Sequence, residues 1–160
     1  MAILAESGRQ AAVTTLLQQP LHLAWGTGLP EWDTAPVTPP VDTTALVNEV
    51  GRRRVAQAAY CRPDPQGELR VPEGRFALST EPTNHLYLRF LFDYADAPTA
   101  VIREIAVYVG AVAKAGVPEG KDYLLPSEVE HPGMLLTVER IEPIPRNKFI
   151  RHQFEQVVEV

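Results

Sequence analysis

The sequence predicts an α+β fold: mostly antiparallel sheet, one helix near the N-terminus, and long proline-rich loops. Three observations carry this. In Leu86 to Tyr94, Leu86, Leu88, Phe90, Phe92 and Tyr94 fall on every second residue. Alternate side chains of a strand point to opposite faces, so this run has one apolar face. Val101 to Val109 holds β-branched residues at 101, 102, 105, 107 and 109, which favours strand over the helix that its Ala, Arg and Glu would allow. Proline makes up 15 of 160 residues, mostly in clusters, which implies short elements joined by fixed connections.

The two runs are expected to form an antiparallel hairpin at the centre of the sheet, with Ala95 to Thr99 as its turn. Phe90, Phe92, Ile105 and Val107 should then be buried. Upstream, Ser7 to Gln19 has the spacing of an amphipathic helix with Ser7 as N-cap, and Pro20 stops it. Leu21 to Trp25 alternates as a short strand. Gly26 to Pro40 (GTGLPEWDTAPVTPP) cannot be regular, and long irregular loops are often functional. Asp42 to Gly51 predicts a short helix, capped by Asp42 or Thr43 and ended by Gly51. Arg52 to Tyr60 predicts one strand, Asp64 to Gly67 a turn, and Leu69 to Pro72 and Arg75 to Ser79 two weak strands.

After the central pair, Gly116 to Gly120 and Pro126 to Gly133 are loops, with a brief pairing of Tyr123 to Leu125 between them. Met134 to Ile144 alternates, and Pro143 and Pro145 confine its far end to a sheet edge. Phe149 to Val160 alternates as a closing strand. It either completes this chain's own sheet or adds to a neighbour's edge. The expected organisation is one domain over residues 1–145 and a C-terminal strand or arm over 146–160.

Little in the sequence points to catalysis. His22, His85, His131 and His152 lie in four separate segments without ligand spacing. Ser79 and Ser127 lack a nucleophile elbow, and the glycines at 26 and 28 are not followed by the lysine of a phosphate loop. A small enzyme or ligand-binding domain would have to use Cys61 or the Glu128, Glu130 and His131 loop. No catalytic residue, cofactor or metal is expected. The single cysteine excludes an internal disulfide. A net charge of -5 argues against a dedicated nucleic-acid partner. No apolar run reaches membrane-spanning length, and the first ten residues lack the features of a signal peptide. Arg52 to Arg54 is the one basic run. It suits either a patch for an acidic partner or phosphate, or a solvated helix end, the latter favoured by a helix ending at Gly51.

Three stretches together resemble a known family. They are the Ser7-Gly8 start with its helix, WGTGLPEWDTAPVTPPVDTTALVNEVGRRRV from Trp25 to Val55, and VIREIAVYVG from Val101 to Gly110. Their order is similar to the N-terminal, baseplate-docking part of the tail-collar fibre proteins of Mu-like contractile-tailed phages. Gly26 and Gly28 match the family's glycine loop. Thr44, Leu46 and Glu49 match its second motif, Arg52 or Arg53 its basic end, and Ile102 to Ile105 its later strand. Ala106 stands where the family has glycine, and the sequence stops at Val160, without a long receptor-binding region.

The resemblance implies a non-enzymatic structural subunit of the tail. Such a subunit would sit at the baseplate, attach fibres or join tube and sheath, and be present in several copies of a symmetric assembly. Its partners would be fibre, wedge, tube or sheath proteins, and its location the virion, with the host cytoplasm before assembly. The residues expected to meet partners are Trp32, Phe149, Phe154 and Val158, large apolar side chains in an irregular loop and a terminal strand.

Overall fold

The computed structural model describes residues 1–160. Its elements run α1 (Glu6–Leu17), β1 (Leu21–Gly26), a single 3-10 turn (Pro30–Asp33), β2 (Glu49–Arg54), β3 (Gln57–Pro63), β4 (Leu69–Val71), β5 (Gly74–Ser79), β6 (His85–Phe92), β7 (Val101–Val109), β8 (Val112–Ala113), β9 (Tyr123–Leu124), a second 3-10 turn (Pro126–Glu128), β10 (Val129–His131), β11 (Met134–Pro145) and β12 (His152–Glu159). All strand pairs with a resolved register are antiparallel. The fold is α+β, as the strand periodicity required.

The chain divides into two compact units, neither continuous in sequence. The first comprises Met1–Gln19, Val55–Phe90 and Gln153–Val160. It carries α1 and a five-stranded sheet in the order β12-β6-β3-β5-β4. Cys61, Phe76, Tyr87 and Val157 form a buried cluster there, with Leu69 and Val71 against it. Leu86, Leu88 and Phe90, on the alternating face of β6, are fully buried. Truncating Phe90 to alanine would cost about 3–5 kcal/mol. Helix α1 buries Val13, and Thr14 and Tyr60 share a hydrogen bond between hydroxyls of 2.7 Å. The helix begins one residue earlier than expected. Ala5 holds the N-cap position with no side-chain bond, so Ser7 is not the cap.

The second unit comprises Pro20–Arg54 and Leu91–His152. Its sheet runs β11-β7-β1-β2-β9, with β8 and β10 as a separate two-stranded ladder. Of the three inner strands, β1 and β7 are buried on both faces over most of their length. That is why their sequences are almost continuously apolar. Trp25 stacks on Phe92 with ring centroids 3.6 Å apart, and Tyr123 meets Phe92 edge-on at 6.2 Å. Strand β11 lies at the sheet edge, where Pro143 and Pro145 leave no ladder bond missing.

Several expectations are corrected. The central hairpin does not form: β6 pairs within the first sheet and β7 lies between β11 and β1 in the second. The connection does not close on itself. Asp93 N–H donates to Asp96 Oδ2, and Ala97 turns the chain with a φ of 43°. Asp42 to Gly51 is not a helix, because β2 already starts at Glu49 and the residues before it form turns. The cause is a remote partner: the backbone N–H groups of Val47 and Asn48 donate to the Glu104 carboxylate at 3.0 and 2.8 Å, instead of to helical carbonyls. Arg52 to Tyr60 is two strands in different sheets, broken at Val55 and Ala56.

Candidate interaction surface

The loop after β1 is fixed by close packing and by arginine. Gly28 has a φ of +54°, and a Cβ there would lie 2.3 Å from the Trp32 ring, so only glycine lets the indole close over the backbone. The Arg140 guanidinium covers the Trp32 ring at 4.0 Å and donates to Val37 O at 2.7 Å. Arg103 grips Asp33 with two bonds of 2.7 and 3.1 Å and donates to Thr27 O at 3.1 Å. This pairing holds the Asp33 carboxyl below its ordinary range. Trp32 is 9% exposed, so its own chain already covers it. Val37, Val41 and Val47 are the exposed large apolar side chains between β1 and β2.

The arginine run is built inward. Arg52 is buried, donates to both Glu49 oxygens and to Pro132 O, and lies over Tyr108 at 4.3 Å. Burial raises the Glu49 carboxyl despite that partner. Arg53 pairs with Asp96 at 3.0 Å. Only Arg54 is exposed, so the run is not the solvated helix end that the sequence favoured. An open groove of about 540 Å³ lies beside Arg53, Asp96, Lys121 and Tyr123. Its cations are already neutralised, Arg53 by Asp96 and Lys121 by Glu128.

Arg146 organises the segment before β12. It is buried and donates to the carbonyls of Asp93, Asp96 and Ile150, meets His152 Nδ1, and stacks over Trp25 at 5.0 Å. A guanidinium saturated by carbonyls needs no carboxylate, although burial still lowers its proton affinity. The turn it holds presents Phe149 at 78% exposure, with Ile150 and Tyr94 also exposed. Lys148 lies over the Phe149 ring and Arg151 over Tyr94. Of the four expected partner residues, Phe149 stands in solvent, Phe154 and Val158 are half-buried on β12, and Trp32 is enclosed.

Of the side chains named for the catalytic alternative, Cys61 is buried and Glu128 is paired. Cys61 is fully buried and burial pushes its thiol up to about 11, which disfavours the nucleophilic thiolate. Glu128 is engaged by Lys121 and by Leu125 N–H, and that pairing lowers its carboxyl. No three His, Cys, Asp or Glu side chains form a group suited to a metal ion.

The residues missed by sequence reasoning are Glu104 and Arg146, which set the loops, and Tyr94 and Ile150, which join Phe149 on the surface. An acid inside an otherwise β-branched run, and an arginine directly after Pro143-Ile144-Pro145, were the available signals.

A family model described as "Baseplate wedge 3 tail fiber network component" matches residues 1–160, the whole chain. No curated protein matches it.

Proposed function

The chain belongs to the family of baseplate wedge 3 tail fibre network components, and on that premise we propose that it links tail fibres to the baseplate as a non-enzymatic subunit. The observation that carries this is the match over the full length, which assigns a structural component of the phage tail baseplate. The resemblance to the docking part of tail-collar fibre proteins supports the fibre-attachment side of the reading over a role in joining tube and sheath. Fibre, wedge or other tail proteins are its proposed partners, in a symmetric assembly of several copies. It would wait in the host cytoplasm and end in the virion. Nucleic acid is not a proposed partner, since two of the three arginines of the basic run, Arg52 and Arg53, are spent on internal acids. No helix is long and apolar enough to cross a membrane.

The proposed contact is the turn around Phe149. Its aromatic ring and Ile150 are held out by Arg146, a buried residue that fixes the turn at low entropic cost on binding. Trp32 contributes by shaping the loop rather than by inserting into a partner. The test is incorporation into particles by the double variant Phe149→Asp with Ile150→Asp. Both residues are exposed, so the variant should fold with near-normal stability. The expected result is a soluble subunit missing from purified tails. Normal incorporation would overturn this contact.

A further inference from the structure

We propose that the Phe149 turn takes an acidic segment with an apolar centre from another baseplate protein, Lys148 and Arg151 pairing with its carboxylates. This rests on the reading that the turn is an assembly contact, and names the chemistry of the partner. Arg146 to His152 reads RNKFIRH, and no aspartate or glutamate occurs between Glu142 and Glu155. The whole chain carries a net charge of -5, so this basic stretch is a local reversal of sign.

The turn is held in one shape. Asn147 Oδ1 accepts from Phe149 N–H at 2.9 Å, Asn147 O from Ile150 N–H at 3.5 Å, and Ile150 O from Arg146 Nη1 at 2.6 Å. These bonds tie down the backbone on both sides of Phe149, so little ordering is left for a partner to impose. Lys148, Phe149, Ile150 and Arg151 are all exposed. Two apolar side chains thus sit between two cations, with Arg151 over the exposed Tyr94 ring.

The cations are uncompensated. None of the chain's ion pairs uses Lys148 or Arg151. Their ring contacts, 5.3 Å from Lys148 Nζ to Phe149 and 5.1 Å from Arg151 to Tyr94, orient the head groups without neutralising them. Buried Arg146 adds a third positive charge, because its hydrogen bonds go to carbonyl oxygens and the His152 ring. On the segment that carries Tyr94, Asp96 is held by Arg53, and Asp93 Oδ1 accepts from the Tyr94 N–H. That leaves Asp93 on this segment against three cations.

This balance selects the occupant. Phe149 and Ile150 need apolar cover, and the cations beside them need carboxylates at the rim, where charge sets partner choice and association rate. A second copy docking through the same turn would bring Lys148 and Arg151 against their own like. A phosphate backbone would pair the cations and leave Phe149 and Ile150 in water.

The test uses the full chain and a short peptide with leucine, phenylalanine and leucine between flanking glutamates. One control carries lysine in place of the glutamates, and another serine in place of the apolar centre. Calorimetry should show binding of the first peptide alone, weakening as salt is raised. Lys148→Gln with Arg151→Gln alters exposed positions, so it should fold normally, and it should bind roughly tenfold more weakly, the equivalent of about 1.4 kcal/mol. Lys148→Glu with Arg151→Glu should take the lysine peptide instead. No binding of the acidic peptide would overturn the proposal. So would equal binding of the acidic and lysine peptides, or unchanged affinity in the glutamine variant. Binding to phosphatidylserine vesicles, or self-association, that is lost in Phe149→Asp with Ile150→Asp would overturn the choice of partner. If the acidic peptide fails to bind while Phe149→Asp with Ile150→Asp is still excluded from particles, the partner's chemistry is wrong and the contact stands.

Discussion

Removing the carboxylate of Glu104 should unpin the segment ahead of β2. Glu104 is 3% exposed, and its two oxygens accept from Asn48 N–H at 2.8 Å and Val47 N–H at 3.0 Å. A Cβ on Gly26 would fall 2.5 Å from Glu104 Oε1, so the acid fills the space that the bulge at Trp25 and Gly26 leaves. Two terms oppose each other. Burying a carboxylate costs several kcal/mol in lost hydration, which its removal returns. Orphaning a buried donor costs about 1–3 kcal/mol, and alanine orphans two.

The donors should decide the sign, because they belong to the backbone and have no other acceptor in the turn. Glu104→Ala should lose about 3–5 kcal/mol once the cavity is included. Glu104→Gln keeps one acceptor and sets its amide against the other donor, so it should lose about 1–3 kcal/mol. The assay is urea unfolding followed by tryptophan fluorescence, with amide exchange of Val47 and Asn48 measured alongside. Losses under about 0.5 kcal/mol in both variants would show that hydration and hydrogen bonding cancel, and the pinning argument would fail.

Three further outcomes follow from the geometry. Gly51→Ala should destabilise by about 1–3 kcal/mol, because its Cβ would lie 2.0 Å from the Tyr123 hydroxyl that accepts from Trp25 Nε1; the loss should shrink in a Tyr123→Ala background, and additivity in the double-mutant cycle would refute the clash. His22 is lowered from 6.5 to about 4, first by burial and then by Arg52 and Arg54, so the unfolded chain takes up the proton first. Its stabilisation is complete above pH 6.5 and lost as pH falls toward 4, by about 3 kcal/mol; the apolar variant His22→Met should lack that part of the acid slope in pH-dependent urea unfolding. Cys61, buried with its thiol pushed up to about 11, should react with a disulfide reagent only as fast as the chain opens, and rapid labelling of the native protein would contradict its placement.

The sequence by itself determined the strands. Alternation along β6 and β11, the short runs of β4, β5 and β9, and the burial of Phe90, Phe92, Ile105 and Val107 all follow from a period of two, which is a local property. It also determined that β11 ends at an edge, since proline cannot donate wherever it is placed. Phe149 was legible as an aromatic side chain close behind two proline breaks.

The tertiary structure alone decided which strands pair. An apolar face says that a strand is covered, not by what, and β6 and β7 are neighbours in sequence but belong to different sheets. It decided that Asp42 to Gly51 is not helical, because the acceptor for Asn48 lies 56 residues away at Glu104. It decided that Arg52 is buried and Trp32 enclosed, because Glu49 with Tyr108 and Arg140 with Gly28 complete those sites only once the sheet has formed. Propensity is set within a few residues, whereas the satisfaction of a buried charge or ring is set by whatever the fold brings against it.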